Sequence, residues 1–154
     1  MFSPDIIGIQ MGHEPCAANG LLDTSAWCDL SKAKGVYILV QHYTGGNTDV
    51  VLTVHEGTAA SGTTAITTGA EFPIWVCASA LTDATLVRQT DALTYTIDAD
   101  VLTGSCFVLF YIDASILSAG YRYVQLGASG GHASSIIAVT YLLSGMRFQG
   151  DGNM

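Results

Sequence analysis

The stretch from Val36 to Glu56 constrains the fold of this chain more than any other, because two β-rich arms flank a short glycine-containing segment. Both arms consist mainly of β-branched and aromatic residues, which favour a pleated, half-buried strand over a helix. Between the arms lies Gly45-Gly46-Asn47, where glycine can supply the positive φ angles of a tight reversal. The stretch therefore predicts a central β-hairpin in an all-β domain.

The first arm of this stretch carries apolar side chains on both of its faces. One face has Val36, Ile38 and Val40, and the other has Tyr37, Leu39 and Tyr43. A strand that is apolar on both faces is normally covered twice, once by its own core and once by a second layer or a neighbouring subunit. The alternation therefore predicts a contact surface on the face that carries the two tyrosines.

Eight or nine short strands, separated by turn-rich segments and with no helix above two turns, can be read along the chain. This spacing predicts a single-domain β-sandwich or jelly-roll-like barrel over residues 23–149. A length of 154 residues fits one domain. Asp98 and Asp113 are expected to cap short turns, and the segment from Gly127 to Gly131 is expected to be a turn.

Residues 1–22 are predicted to form an apolar N-terminal arm, and residues 150–154 a short C-terminal tail. Pro4, Gly8 and Gly12 interrupt the apolar residues of the arm too often for a stable helix or a long strand. We expect the arm to order against a neighbouring subunit or a capsid, and the barrel to fold without it.

The charge of the chain is low and acidic. Charged residues make up 12% of the sequence, about half the ~25% typical of soluble domains. The net charge is −8 and the five lysines and arginines are scattered, which argues against nucleic-acid binding. The apolar runs are only strand-length, so no membrane segment is predicted. So little charge indicates that part of the surface is hidden in an oligomer or a larger assembly.

The four cysteines are expected to be reduced. The N-terminus lacks the basic and long apolar regions of a secretory signal, which predicts synthesis in the cytoplasm. Cys16, Cys28, Cys77 and Cys106 are therefore interpreted as thiols, most of them buried, and not as disulfides.

A possible nucleophile motif occurs at Gly127-Ala128-Ser129-Gly130-Gly131, which formally matches G-x-S-x-G. That motif requires a strand before it and a helix after it, with an acid and a histidine later in the chain. Here a strand is predicted to follow, and His132 is too close in sequence to act as the base. Ser129 is therefore predicted to be a turn residue, so no catalytic residue is expected and the protein is not predicted to be an enzyme.

Three groups of residues have side chains of the types that bind metal ions. They are His13 with Cys16 and Cys28; His42 with His55 across the predicted hairpin; and Asp98, Asp100 and Asp113. None has the spacing of a zinc or calcium motif. Neither a metal nor a cofactor site is predicted.

The C-terminal third, together with parts of the N-terminal half, resembles a family of small virion structural proteins of tailed bacteriophages. The resemblance is carried by Tyr111–Leu126, with its Ile-Asp-Ala step and Gly-Tyr-Arg-Tyr-Val strand, and by Ile136–Phe148, which ends in Leu-Ser-Gly-Met-Arg-Phe. Asp29–Gln41 and Val51–Gly57 are similar in layout to earlier strands of the family. The chain departs from the family at Gln125, where arginine is common, in its four cysteines and in its N-terminal arm.

The resemblance implies a non-enzymatic head protein and favours a decoration or cement protein on the outer surface of the capsid. Its partners would be further copies of itself, with a trimer favoured, and the major capsid protein. An acidic chain suits the outside of the shell better than the DNA-filled interior. The residues predicted to form partner interfaces are Phe2, Ile6, Ile7, Ile9, Met11, Tyr37, Leu39, Tyr43, Arg147 and Phe148.

Two alternatives stay open at this point. The first is another virion component, such as a tail, head-completion or fibre-attachment module. The second is a carbohydrate-binding jelly roll, whose aromatic platform would draw on Trp27, Trp75 and the seven tyrosines.

Overall fold

The computed structural model describes residues 6–20, 25–61, 64–66, 71–83 and 85–145. These residues form eleven β-strands and two short 3-10 turns, Ala18–Gly20 and Ala114–Ile116. The strands are β1 Ile6–Ala17, β2 Cys28–Asp29, β3 Gly35–Tyr43, β4 Val50–Gly57, β5 Thr64–Ala65, β6 Ile74–Cys77, β7 Val87–Arg88, β8 Thr94–Ile97, β9 Ser105–Asp113, β10 Tyr123–Gly130 and β11 Ile136–Ser144. The prediction of an all-β sandwich is confirmed. Eight or nine strands were expected. The count is eleven because it includes β2, β5 and β7, which have only two residues each.

The strands form two antiparallel sheets packed as a sandwich. The six-stranded sheet has the order β1-β11-β3-β9-β6-β7, and the five-stranded sheet has the order β2-β10-β4-β5, with β8 also paired to β4. The pairing is nested: β1 pairs with β11, β2 with β10, β3 with β9 and β4 with β8. A long hairpin that is rolled up in this way is a jelly roll.

The predicted central hairpin is wrong, because its two arms lie in different sheets. β3 pairs with β11 and β9, whereas β4 pairs with β10, β5 and β8. In the nested arrangement β3 pairs over its full length with both β11 and β9. In a local hairpin, β4 would have replaced one of these two partners. This full-length pairing explains why distant pairing prevails over the nearest turn.

Gly45 and Gly46 accordingly have a different role from the one predicted. Neither is among the glycines with positive φ, which include Gly130 and Gly131. A Cβ at Gly45 would collide with the backbone oxygen of Ser134, and one at Gly46 would collide with the ring of His132. The two glycines therefore let the loop after β3 pack closely against the loop before β11.

The N-terminal segment is also different from the prediction. It forms β1, a twelve-residue edge strand of the six-stranded sheet, and not an arm without regular structure. Irregularities in the register between Ile6 and Gly8, Met11 and His13, and His13 and Cys16 absorb the interruptions that the sequence shows. Bulges of this kind are common in edge strands.

The segment from Gly127 to Gly131 was predicted to be a turn, and this prediction is wrong for most of its length. Gly127 to Gly130 continue β10 and pair with Thr53 to Val50 of β4. The chain reverses only where Gly130 and Gly131 adopt positive φ angles of 78° and 84°, and the last strand begins at Ile136 instead of His132.

The core lies between the sheets and is formed by the inward half of each strand. Its members include Val36, Ile38, Val40, Val50, Leu52, Val54, Val108, Phe110, Ile112, Val124, Leu126, Ile137, Val139 and Tyr141. The predicted caps are confirmed, since Asp98 Oδ1 accepts from the backbone N–H of Asp100 at 2.9 Å and Asp113 Oδ1 accepts from that of Ser115 at 2.9 Å. Within the described ranges no helix has the length and apolar character needed to cross a bilayer.

Candidate interaction surface

The outer face of the six-stranded sheet is the most distinctive surface of the molecule. Because side chains alternate along a strand, the neighbours of the core residues on β1, β11, β3, β9 and β6 point away from the core. We call this set the apolar face: Ile9, Met11, Ile136, Ala138, Thr140, Leu142, Tyr37, Leu39, Gln41, Tyr43, Phe107, Leu109, Tyr111 and Trp75.

The register of the strands arranges the apolar face in rows across the sheet. One row runs from Ile9 through Leu142 and Tyr37 to Tyr111. The rings of Tyr37 and Tyr111 touch, with their centroids 4.7 Å apart. Such cross-strand aromatic contacts stabilise the pairing of strands.

The next row is the longest and crosses five strands. It runs from Met11 through Thr140, Leu39 and Leu109 to Trp75. At its end the Arg88 guanidinium lies 4.8 Å from the centre of the Trp75 ring. The row therefore closes with a cation–π contact at the margin of the sheet.

A recess of about 280 Å³ lies at one end of the apolar face. Its walls include Tyr43, Phe107, Ile136 and Ala138, and Leu81 stands beside it with 86% of its surface exposed. Ile9 and Met11, at the β1 margin of the same face, are 75% and 62% exposed. The face thus carries both protruding apolar side chains and an apolar hollow.

Charge is confined to the margins of this face. The fourteen members of the apolar face include four hydroxyl groups and one amide besides the indole of Trp75, and none is ionised at neutral pH. At one corner lies Asp113, whose pKa is lowered mainly by the backbone N–H of Ser115. Burial raises the pKa of the neighbouring Tyr111 hydroxyl. The fourteen members of the face therefore offer apolar contact area without a fixed charge among them.

The predicted interface residues divide into three groups. Ile9, Met11, Tyr37, Leu39 and Tyr43 lie together on the apolar face. The backbone of Ile6 and Ile7 belongs to β1, and Phe2, Arg147 and Phe148 lie outside the described residues.

Other members of the face were missed by the sequence analysis. They include Phe107, Leu109 and Tyr111 of β9, whose alternation with buried residues was present in the sequence. The run 106–112 is apolar at every position, so periodicity alone did not separate its inner side from its outer side.

Ser129 does not have the surroundings of a nucleophile. It is exposed, lies in β10 and pairs with Val51 of β4. The chain continues through a tight turn into β11 and not into a helix. The Nδ1 atom of His132 accepts from the backbone N–H of Ser134 at 3.1 Å. The G-x-S-x-G match is therefore a feature of strand sequence.

A second serine contacts a buried carboxyl group. Glu56 is only 3% exposed, and its Oε2 accepts from the backbone N–H of Ser118 at 2.8 Å while its Oε1 accepts from the Ser118 hydroxyl at 2.5 Å. These bonds fasten the loop after the second 3-10 turn to β4. They resemble a capping interaction, because one carboxyl group holds both a backbone and a side-chain donor.

His42 and Cys106 form a buried pair that the sequence analysis did not predict. Cys106 Sγ lies 3.9 Å from His42 Nδ1, and Thr44 Oγ1 lies 3.4 Å from the same nitrogen. Burial raises the pKa of the Cys106 thiol to about 11 and lowers the pKa of His42. Both groups are therefore held neutral at pH 7, and a reactive thiolate is disfavoured.

The metal candidates from the sequence are not assembled. His42 and His55 lie in different sheets and do not face each other across a hairpin. In the described part of the chain no group of three or more histidine, cysteine, aspartate or glutamate residues is placed to hold a metal ion. All four cysteines are free, and Cys28, Cys77 and Cys106 are buried, which confirms their prediction as unbridged thiols.

Comparison of the chain with protein-family models, curated proteins and solved structures found no match. The resemblance to virion structural proteins therefore stays a prediction from the quoted motifs.

Proposed function

We propose that the protein is a non-enzymatic structural protein of a bacteriophage virion. Its specific role in this proposal is that of a decoration protein, which assembles with itself, as a trimer by analogy, and binds the major capsid protein on the outer surface of the head. It would be synthesised in the host cytoplasm and carried in the finished particle.

The observation that carries the proposal is the apolar face. Apolar patches of this kind, which a chain leaves partly open after its own core is complete, mark protein contact surfaces. The net charge of −8 supports a position outside the shell, because packaged DNA would repel the chain. The motifs shared with small virion proteins support the same role.

The test is the composition and density map of intact particles. Quantitative mass spectrometry should find the protein in a fixed ratio to the major capsid protein, and cryo-electron microscopy should place the jelly roll on the outer head surface. A few copies confined to the tail or neck would show a different virion role, and absence from the particle would reject the proposal.

A second cleft favours the carbohydrate-binding alternative. It has a volume of about 420 Å³ and is lined by polar groups that include Asp83, Gln89, Tyr95, Thr96 and Asp98. Carboxylate, amide and hydroxyl groups beside an aromatic ring suit a neutral polyhydroxylated ligand. Binding to a glycan array that is lost in Tyr95→Ala would support this function.

A further inference from the structure

We infer that the apolar face binds a second copy of this chain, and that the capsid is bound by other surfaces. The inference rests on the proposed function in taking the protein to be an assembling structural subunit. It adds that the apolar face is the surface through which copies of the chain bind one another.

The first argument is electrostatic. Copies of a chain with net charge −8 repel one another over most of their surface. None of the fourteen members of the apolar face is acidic and Asp113 lies at one corner of it, so two copies can meet over the centre of the face without bringing carboxylates together. A foreign partner would instead gain from the acidic remainder of the surface, since charge complementarity selects partners and speeds their association.

The second argument concerns size. Five strands spaced about 4.8 Å apart, with the seven residues from Tyr37 to Tyr43 at about 3.4 Å each, cover at most roughly 24 Å by 24 Å in projection. That is about 570 Å² before the roughness of the side chains is counted. A stable interface buries about 800 Å² of accessible surface on each partner. The projected area of the apolar face lies near the lower end of the range for specific interfaces, about 600–1,000 Å² on each partner, so the face offers room for one contact of that size.

The third argument concerns shape and composition. The face supplies both halves of an interlocking contact, since Ile9 and Met11 protrude at one margin and the recess beside Tyr43 lies elsewhere on the same face. Aromatic residues and methionine are also enriched in the buried centres of protein interfaces. A second copy carries the same protruding apolar side chains and the same apolar recess, so each copy can offer both to the other.

The experiment places a carboxylate on each of the two outer faces of the sandwich. Met11→Glu and Tyr43→Glu alter the apolar face at positions that are 62% and 50% exposed in the single chain, so the fold should be retained. Ser129→Glu is the matched control, because Ser129 is an exposed strand residue on the outer side of the five-stranded sheet. Mass is measured over a range of concentrations by sedimentation equilibrium, with circular dichroism to verify the fold.

The expected result is that the wild type and Ser129→Glu self-associate, and that Met11→Glu and Tyr43→Glu weaken self-association by about a hundredfold or more because an unpaired charge would be buried. A folded Met11→Glu or Tyr43→Glu protein with the wild-type mass would overturn the inference. A wild type that is monomeric at every concentration would overturn it as well.

Binding to heads that lack the protein separates this inference from the proposed function. If the wild type self-associates through this face but binds no heads, the decoration role fails and the assignment of the face stands. If the face variants keep the wild-type mass and lose only head binding, the face belongs to the capsid contact and the inference is wrong.

Discussion

The two outer faces of the sandwich follow the same strand periodicity and yet differ in what covers them. On the five-stranded sheet, the outward residues include Thr53, His55, Gln125 and Ser129, and part of this face is covered by the chain itself. Gln125 Nε2 donates to the backbone oxygen of Ser25 at 2.5 Å, and Gln125 is only 2% exposed. On the six-stranded sheet, most outward residues are aromatic or aliphatic, and they are half-buried or exposed. Alternation alone therefore identifies the outward side of each strand, and only the packing of the loops shows which of the two outer faces is still open.

The largest effect that would test this comparison is expected from the loss of half of β1. Deleting residues 1–11 removes the pairs from Ile6–Ser144 to Met11–Thr140 and the Ile9–Met11 margin of the apolar face. With about 1 kcal/mol for each of roughly four lost ladder bonds, the free energy of unfolding should fall by about 4 kcal/mol. Urea denaturation measures this loss. If the truncated protein is as stable as the wild type, the first half of β1 is not needed for the fold, which is what the sequence predicted for the arm.

A neighbouring pair of residues sharpens the comparison between the inside and the outside of one strand. Ile38 is fully buried in the core, and Leu39 lies on the apolar face. Ile38→Ala should cost about 2–5 kcal/mol at any protein concentration. Leu39→Ala should cost about 1 kcal/mol or less in the monomer, with a larger loss at concentrations where copies associate.

Thr53→Ala is the control for this pair, because Thr53 points outward on the five-stranded sheet. The unfolding midpoint of Thr53→Ala should change with protein concentration to the same extent as the midpoint of the wild type. If Leu39→Ala and Thr53→Ala respond to concentration in the same way, the two outer faces do not differ in function.

The sequence predicted the inner and outer sides of β3 correctly, because alternation is a local property of a strand. It did not predict the partner of that strand, because a loop of six residues is compatible with a hairpin and with a crossing between sheets. Full-length pairing with β9 and β11 decides between them, and it depends on residues more than sixty positions away. The apolar face was predicted in part for the same reason: Tyr37 and Leu39 were visible, whereas the outward side of β9 needed the register.

β1 shows a second limit of the sequence. Gly8 and Gly12, together with Pro4 outside the described residues, suggested a broken segment, but an edge strand tolerates bulges because one of its sides does not need a continuous ladder. Gly12 is even required at its position, since a Cβ there would come within 2.8 Å of Tyr141 and of Val139. The same residue that argued against a strand allows the strand to pack against the sheet.

A smaller effect is expected from pH, and it originates in the core and not on either outer face. Burial lowers the pKa of His42 below its ordinary 6.5, so the unfolded chain takes up a proton that the folded chain refuses. The stabilisation is complete above about pH 6.5 and decreases as the pH falls towards the lowered pKa of the folded state. Urea unfolding between pH 7.5 and 5 would measure it, with His42→Asn as the control that should lack this component. Equal slopes for both proteins would show that His42 does not contribute.

The smallest effect is expected at Ser129 of the five-stranded sheet. Ser129 lies on the outer side of the five-stranded sheet, is exposed, and is held in β10 by its pairing with Val51. Its side chain contributes neither to the core nor to the apolar face, so Ser129→Ala should change the free energy of unfolding by no more than about 0.5 kcal/mol. Self-association should also be unchanged, because the substitution leaves the six-stranded sheet untouched. Sedimentation and urea denaturation of the same samples measure both quantities, and a fluorophosphonate probe tests the remaining alternative. Labelling of the wild type that disappears in Ser129→Ala would identify Ser129 as a nucleophile on the outer face of the five-stranded sheet. Weaker self-association of Ser129→Ala would instead place the contact between copies on the five-stranded sheet and contradict its assignment to the apolar face.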